Sequence, residues 1–242
     1  MTERPFRLAA AARGLRQPLR TLRLLASRRG WLRVLYAVHP PKHGRLDTTA
    51  AIGARHYDQY VDYVKHQRGK LDLLDLSSYD REFCTGLAER LRDGDWAGRS
   101  VLCLAARIGS EVRAFHDVGA FAVGIDLNPG GDNSHVLPGD FHALVFPDEC
   151  VDVTYCNSLD HAFDLARTMG EIRRVLKPSG LLLVDAQQGT DVAEFDDWAA
   201  TSWGSIDDLI KAIEAGGFLL EARSPITVPW PGEELRLRPV RA

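Results

Sequence analysis

Residues 100–126 read SVLCLAARIGSEVRAFHDVGAFAVGID. Val101 to Ala105 is a short apolar run of strand type, and Phe121 to Asp126 is a second. Between them, Ser110 to about Val118 has the spacing of a helix. A strand, a helix and a strand in one short stretch make a βαβ unit, the repeating piece of a parallel sheet.

The alternation continues downstream. His135 to Leu137 is a short strand, Val151 to Cys156 a longer one, and about Phe163 to Leu176 a helix. Gly180 to Asp185 is a strand and Ile206 to Ala215 a helix. Two last strands cover Phe218 to Arg223 and Glu234 to Arg238, the second stopped by Pro239. The pattern predicts an α/β fold with a doubly wound, mostly parallel sheet. Right-handed crossovers gather the C-terminal strand ends on one edge, where such sheets bind ligands.

Upstream, Ser77 or Ser78 caps a helix running to about Leu91, with Phe83, Leu87 and Leu91 inward. Residues 54–69 read as another helix, with Tyr57, Tyr60, Val61 and Val64 on one side. His39 to Gly44 carries two prolines and reads as a linker. Residues 5–29 read as one or two amphipathic helices, kinked at Pro18. The division expected is a basic helical extension and linker over 1–50 and one domain over 51–242. Within that domain 51–97 is a helical lead-in, 98–187 a cofactor-binding core and 188–242 a C-terminal part.

The 242 residues are 45% apolar and 26% charged, the profile of a globular protein rather than a disordered chain, collagen or coiled coil. The net charge of −3 is uneven: residues 1–50 sum to +9, which leaves −12 for the rest. An acidic body repels phosphates and disfavours nucleic acid, with the basic arm as the route by which RNA would still be held. Three readings of the arm stand: packing on its own domain, peripheral contact with an anionic membrane or acidic partner through residues 5–33, or a transit peptide. The four cysteines include no Cys-x-x-Cys pair, and no metal site is expected. No run reaches the ~18 apolar residues of a membrane span, so the expected location is cytoplasmic, with the membrane surface as a peripheral option.

Polar residues cluster just after the strands. The first loop, Ala105-Ala106-Arg107-Ile108-Gly109-Ser110-Glu111, can aim backbone N–H groups at a ligand. Asp126 closes the second strand about 17 residues beyond Gly109, where a carboxylate can accept from both ribose hydroxyls. Asp140-Phe141 follows the third strand, and Asn157-Ser158-Leu159-Asp160-His161 the fourth. Asp140 is suited to an adenine amino group and Phe141 to its ring.

Residues 101–187 resemble the core of class I S-adenosylmethionine-dependent methyltransferases. The matching pieces are Val101 to Leu104, Gly124-Ile125-Asp126, Gly139-Asp140-Phe141, Phe146-Pro147-Asp148, Val151-Asp152-Val153 and Glu171 to Leu183, in the family's order and spacing. The resemblance implies a seven-stranded sheet with an antiparallel C-terminal edge strand, and S-adenosyl-L-methionine as cofactor. It implies that residues 105–111, including Ala105, Ala106, Arg107, Gly109 and Glu111, cradle the methionine part. Asp126 would hold the ribose, Leu127 would flank the adenine, and Asp140 and Phe141 would recognise it. Asn157 and Ser158 would lie beneath the sulfonium.

One departure stands out. The family loop reads acidic-x-Gly-x-Gly-x-Gly, whereas here Cys103, Ala105 and Arg107 replace the acid and two glycines, and Gly109 remains. A side chain at Arg107 is strained if the backbone there needs positive φ, so the loop either takes a different path or binds less tightly. Glu111 is placed to stand in for the missing carboxylate.

The function expected is methyl transfer to a small-molecule, lipid-linked or glycan acceptor. The alternative is an inactive relative that senses cofactor or serves as a scaffold. A nicotinamide-dependent oxidoreductase fits less well, because Gly-x-Gly-x-x-Gly is absent. His161 is the candidate general base with Asp160 beside it, and His142 is the second choice. Acceptor contacts are sought among His56, Tyr57, Tyr60, residues 187–189, Trp198, Trp203 and Trp230.

Overall fold

The computed structural model describes residues 44–73, 77–130, 133–189 and 197–240. The chain divides into two units, Met1–Lys42 with Gly69–Asp75 and His43–Arg68 with Leu76–Ala242. Nearly all described residues belong to the second. The amphipathic stretch at 5–29 and most of the 39–44 linker lie outside the described residues.

The order is β1 (Arg45–Asp47), β2 (Ile52–His56), α1 (Tyr60–Leu73), α2 (Ser77–Leu91), β3 (Ser100–Leu104), α3 (Ser110–Asp117), β4 (Phe121–Asp126) and β5 (Val136–Pro138). Then come β6 (Val151–Cys156), a single 3-10 turn (Leu159–His161), α4 (Leu165–Val175), β7 (Leu176–Gln187), β8 (Thr201–Trp203), α5 (Ile206–Ala215), β9 (Phe218–Ile226) and β10 (Gly232–Pro239). Seven strands form one sheet in the order β5-β4-β3-β6-β7-β10-β9. It is parallel except for β10, which pairs antiparallel with both β7 and β9. The doubly wound, mostly parallel seven-stranded sheet is therefore as the sequence implied, and its antiparallel strand lies one place in from the edge.

β3 sits in the middle of this sheet, and Val101 to Leu104 are all buried, as expected where helices cover both faces. Alternate residues point to opposite layers. Leu102 and Leu104 join Ile125, Leu182 and Val184 under α4 and α5. Val101 and Cys103 join Val153, Tyr155, Leu181 and Leu183 under α2 and α3, where Phe83, Leu87 and Leu91 complete the layer. Each fully buried Leu or Phe of this kind stabilises the fold by about 1.5–3 kcal/mol.

Caps set the helix starts that aim the strand ends. The Asp164 carboxylate accepts from Arg167 N at 3.0 Å, and Ser205 Oγ accepts from Asp208 N at 3.2 Å. α4 then buries Thr168, Met169, Ile172 and Val175, and α5 buries Ile206, Leu209, Ile210 and Ile213. At the opposite edge, Asp152 accepts from Ser100 N at 2.9 Å, Ser100 Oγ at 2.6 Å and Lys177 Nζ at 2.8 Å. Burial acts to raise its pKa, but these hydrogen bonds outweigh that and hold the carboxyl at about 2.

One sequence expectation needs correction. Residues 54–56 are not helical: Ile52–His56 is a strand, and the helix begins at Tyr60. That strand belongs to a second sheet, β1-β2-β8, which the sequence reading did not foresee. β2 pairs antiparallel with β8, Ile52 opposite Trp203 and Ala54 opposite Thr201. Long-range pairing here overrides local propensity. Arg55 reinforces it, its N–H donating to Ala200 O at 2.7 Å and its Nε to Ala199 O at 2.8 Å. Among the described residues, no helix is long and apolar enough to cross a membrane.

Candidate functional site

The loop after β3 makes three left-handed turns on alternate residues: φ is 52° at Ala105, 44° at Arg107 and 80° at Gly109. These are the three positions where the resemblance places glycines. The loop thus keeps the glycine path, at a cost of about 1–2 kcal/mol for each non-glycine residue held left-handed. Hydrogen bonds offset the strain. Ala106 N donates to Ile125 O at 2.9 Å, Gly109 N to Ala106 O at 2.6 Å, and Asn133 Nδ2 to Arg107 O at 2.9 Å. Arg107 N donates to Asp126 Oδ2 at 3.0 Å. Gly124 lies directly beneath: a Cβ there would stand 2.7 Å from Ala106 Cβ and 2.9 Å from Val136 Cγ2.

Asp126 ends β4 and braces this loop, since its Oδ1 also accepts from Asn128 N at 2.6 Å. Asp126 pairs with Pro138 in the β4–β5 register, and Gly139 N donates to Asp126 O at 3.0 Å. Asp140 therefore follows on the adjacent strand end, beside Asp126. Both carboxylates act on Tyr63, whose hydroxyl pKa is raised first by burial and then by the charges of Asp140 and Asp126 among others. Leu127 is half-buried next to Asp126, and Phe141 is 5% exposed, so its ring is part of the core and presents little open face.

Asp140 is held on both oxygens. Oδ1 accepts from His142 N at 2.8 Å and faces His142 Nδ1 at 2.7 Å, and Oδ2 accepts from the Tyr60 hydroxyl at 2.6 Å. Burial works to raise its pKa, yet the hydrogen bonds from His142 and Tyr60 outweigh it and keep the carboxyl below the usual range. His142 Nε2 lies 3.4 Å from Asp164 N, which can only donate, so the ring proton sits on Nδ1 towards Asp140. His142 is thereby committed to orienting Asp140. The motif at α4 supports the same loop: Glu171 Oε2 accepts from Leu144 N at 2.7 Å, and Arg174 donates to Leu144 O and Phe146 O, both at 2.8 Å.

Glu111 sits in the first turn of α3, where the helix N-terminus favours negative charge. It is nonetheless 6% exposed, and burial pushes its pKa up to about 7. Oε1 accepts from Asn157 Nδ2 at 3.3 Å, while the buried Oε2 has no hydrogen-bond partner. Ser158 Oγ donates to Asn157 Oδ1 at 2.8 Å. Ends of four strands thus bring together Glu111, Asp126, Asp140 and Asn157: three carboxyls and an amide. The complement of that set is a ligand with several hydroxyl or amine donors and a positive charge beside Glu111.

His161 is 9% exposed in the turn after β6. Its Nδ1 lies 3.1 Å from Trp198 O, a pure acceptor, so Nδ1 carries the proton and Nε2 the lone pair in the neutral ring. Nε2 is 3.7 Å from Asp160 Oδ2, a carboxylate able to stabilise the ring once it gains a proton. Among the aromatic candidates, Tyr57 hydrogen-bonds to His66 Nδ1 at 2.8 Å, and Trp203 Nε1 donates to Gln187 O at 3.0 Å. Trp198 is 9% exposed and stacked on His66, and His56 faces Asp47 at 4.0 Å.

The part played by α1 went unforeseen. Tyr60, Tyr63 and His66 lie three residues apart on one face, and the last two are fully buried. Tyr63 meets His142 edge-on at 5.5 Å and packs on Phe163 at 4.7 Å. The three-residue spacing was visible in the sequence, but helix periodicity on residues of mixed polarity does not say what they face.

Comparison with known proteins agrees with this fold. Residues 102–184 match the family profile described as a methyltransferase domain. The chain is 28% identical to a sterol 24-C-methyltransferase of Gibberella zeae, over 80% of this chain and 61% of that protein. It is 38% identical to a malonyl-[acyl-carrier protein] O-methyltransferase of Coxiella burnetii, over 26% of this chain and 24% of that one. The chain therefore spans less than two thirds of either relative. In fold it resembles the Burkholderia thailandensis 1,6-didemethyltoxoflavin-N1-methyltransferase solved with its substrate and S-adenosylhomocysteine, at 14% identity and a TM-score of 0.58, covering 82% of this chain and all of that one. The profile match over 102–184 and the seven-stranded sheet thus make this part of the chain similar in sequence and fold to a methyltransferase domain.

Proposed function

We propose that the chain is an S-adenosylmethionine-dependent methyltransferase acting on a small-molecule or lipid-linked acceptor. The observation that carries this reading is the buried Glu111 carboxyl, with one oxygen lacking a partner, at the same sheet edge as Asp126 and Asp140. The amino acid part of the cofactor bears an ammonium group suited to that oxygen. The N–H groups at the start of α3 face its carboxylate end, since those of Ala106, Arg107 and Gly109 already donate to Ile125, Asp126 and Ala106. Asp126 accepts from the ribose hydroxyls while still bracing Arg107. Asp140 takes the adenine amine, with Leu127 and the edge of Phe141 along the base. Asn157 and Ser158 lie beneath the sulfonium.

The cofactor supplies an electrophilic methyl group. The residues named hold it in line with the acceptor and exclude water, a positioning effect that contributes ~7–11 kcal/mol in well-oriented reactions. His161 Nε2 accepts the acceptor's proton, and Asp160 stabilises the charged ring. The left-handed turns at Ala105 and Arg107 support retained cofactor binding despite the loss of two glycines, which argues against a scaffold that binds no cofactor. The relatives are named for a sterol, a malonyl group on an acyl-carrier protein and 1,6-didemethyltoxoflavin, that is, two small molecules and one acyl group borne by a protein.

The test is incubation of the full chain with methyl-labelled S-adenosylmethionine and separate sterol, free-acid and nitrogen-heterocycle acceptors. Label should move to one class, and His161→Ala should slow the transfer ~100-fold or more. Binding of the cofactor with no transfer to any acceptor or host extract would return the chain to the sensing alternative. Unchanged turnover in His161→Ala would remove it as base.

A further inference from the structure

α1 touches both ends of the candidate site. At its start, the Tyr60 hydroxyl holds Asp140 Oδ2 at 2.6 Å. Two turns later, His66 Nε2 lies 2.7 Å from Asp197 O, and Gln67 Nε2 donates to Trp198 O at 3.1 Å. Asp197 O can only accept, so His66 carries its proton on Nε2 and accepts the Tyr57 hydroxyl on Nδ1. The His66 ring also stacks on Trp198, with centroids 5.5 Å apart and planes 25° apart. Trp198 O is the same carbonyl that faces His161 Nδ1. The 197–200 segment continues to Ala200, whose N–H donates to Asp160 O at 2.7 Å. The backbone of residues 197–200 is thus gripped by α1 on one side and by the Asp160-His161 turn on the other.

The Tyr60–Arg68 part of the helix is lightly anchored. Within Tyr60–Arg68 only Tyr63 and His66 are fully buried, and neither is aliphatic. An element held by a few polar and ring contacts, without an apolar stripe, lies at the low end of local stability. Its position is therefore sensitive to what fills the pocket beside Asp140. Three of the roughly four acceptor positions on that carboxylate are filled by His142 N–H, His142 Nδ1–H and the Tyr60 hydroxyl. A ligand amine at the remaining position shares Oδ2 with Tyr60.

We infer that Tyr60 and His66 are positioning residues, through which an occupied nucleoside pocket fixes the 197–200 segment and, with it, the orientation of His161. This rests on the cofactor reading above and adds an order to it: the donor binds first and completes the geometry of the base. Tyr60 reports occupancy at Asp140. His66 and Gln67 deliver it to the carbonyls of Asp197 and Trp198.

Hydrogen exchange of the full chain, with and without S-adenosylhomocysteine, tests this. In the natural chain the ligand should slow exchange at 104–111, at 126–142 and also at 197–203. In Tyr60→Phe, which removes one hydroxyl from a half-exposed side chain, slowing at 104–111 should persist. Slowing at 197–203 should fall by about tenfold, the scale of one hydrogen bond to a charged group. His66→Ala should lose the 197–203 response in the same way, and His66→Gln, which keeps a donor for Asp197 O, should regain part of it. Equal slowing at 197–203 in the natural chain and Tyr60→Phe overturns the coupling and leaves the cofactor reading intact. No slowing at 104–111 in the natural chain overturns both.

Discussion

Replacing Glu111 with Gln should make the ligand-free protein more stable above neutral pH while weakening its hold on the cofactor. The carboxyl is 6% exposed, and burial raises its pKa from 4.5 to about 7. A folded pKa above the unfolded value means that the native state binds the extra proton between these limits. Stability from this group is fully present below about pH 4.5 and is lost as pH rises through 7. The span from 4.5 to about 7, at 1.36 kcal/mol per pH unit, puts the loss at about 3 kcal/mol at most. Gln keeps the oxygen that accepts from Asn157 and exchanges one buried atom without a partner for another, so the difference between the two proteins isolates the charge. For a chain of this size, 3 kcal/mol is about 6–12 °C in Tm. Melting curves of both proteins from pH 4.5 to 8 should nearly coincide at the acid end and diverge by several degrees at pH 8, with Glu111→Gln the higher. Calorimetry at pH 8 should show the variant binding S-adenosylhomocysteine at least tenfold more weakly. Parallel melting curves across the whole range would refute the buried-charge reasoning. A stabilised variant with undiminished affinity would refute the ammonium contact alone.

Gly124→Ala would place a methyl 2.7 Å from Ala106 and 2.9 Å from Val136, so it should cost about 1–3 kcal/mol and lower Tm by several degrees in thermal melts. Because Ala106 belongs to the cofactor loop, the same variant should also bind S-adenosylhomocysteine more weakly; an unaltered Tm would show that the loop yields freely. Asp152→Asn should reduce stability at pH 6 and much less at pH 2. The depressed pKa of about 2 makes the carboxylate's contribution present above about pH 4 and lost as pH falls towards 2. A destabilisation independent of pH in acid unfolding curves would contradict this. Arg174→Met should loosen the 140–150 loop by removing donors to Leu144 O and Phe146 O, and faster amide exchange at Asp140–Leu144 would report it.

How far the fold was legible follows from where its information lies. Strands such as Val151–Cys156 and Phe121–Asp126 are rich in apolar residues, most of them at least partly buried beneath the helices, and such runs stand out from their neighbours. The carboxylates at their ends were equally legible, because a strand end in a doubly wound sheet has a known edge to face. β1, β2 and β8 were not. They are three to five residues long, and Ala54 finds its partner at Thr201, so nothing local marks them. The left-handed turns at Ala105 and Arg107 were hidden for a related reason. Their strain is borne by Asp126, Asn133 and Ile125, residues distant in the chain, and residue type alone argues against them. The chain shows Phe141 beside Asp140 but not that its ring turns into the core. His66 and Gln67 are silent in the sequence because their importance comes from two carbonyl oxygens, each 131 residues away.

The most direct measurement is calorimetric titration of the full chain and of Asp126→Asn with S-adenosylhomocysteine at pH 8. The natural chain should bind one equivalent. Asp126→Asn, which loses at least one acceptor for Arg107 N or a ribose hydroxyl, should bind ~10–100-fold more weakly, the scale of one or two charged hydrogen bonds. No heat at millimolar ligand, or equal affinities in two folded proteins, would contradict a nucleoside pocket at this sheet edge.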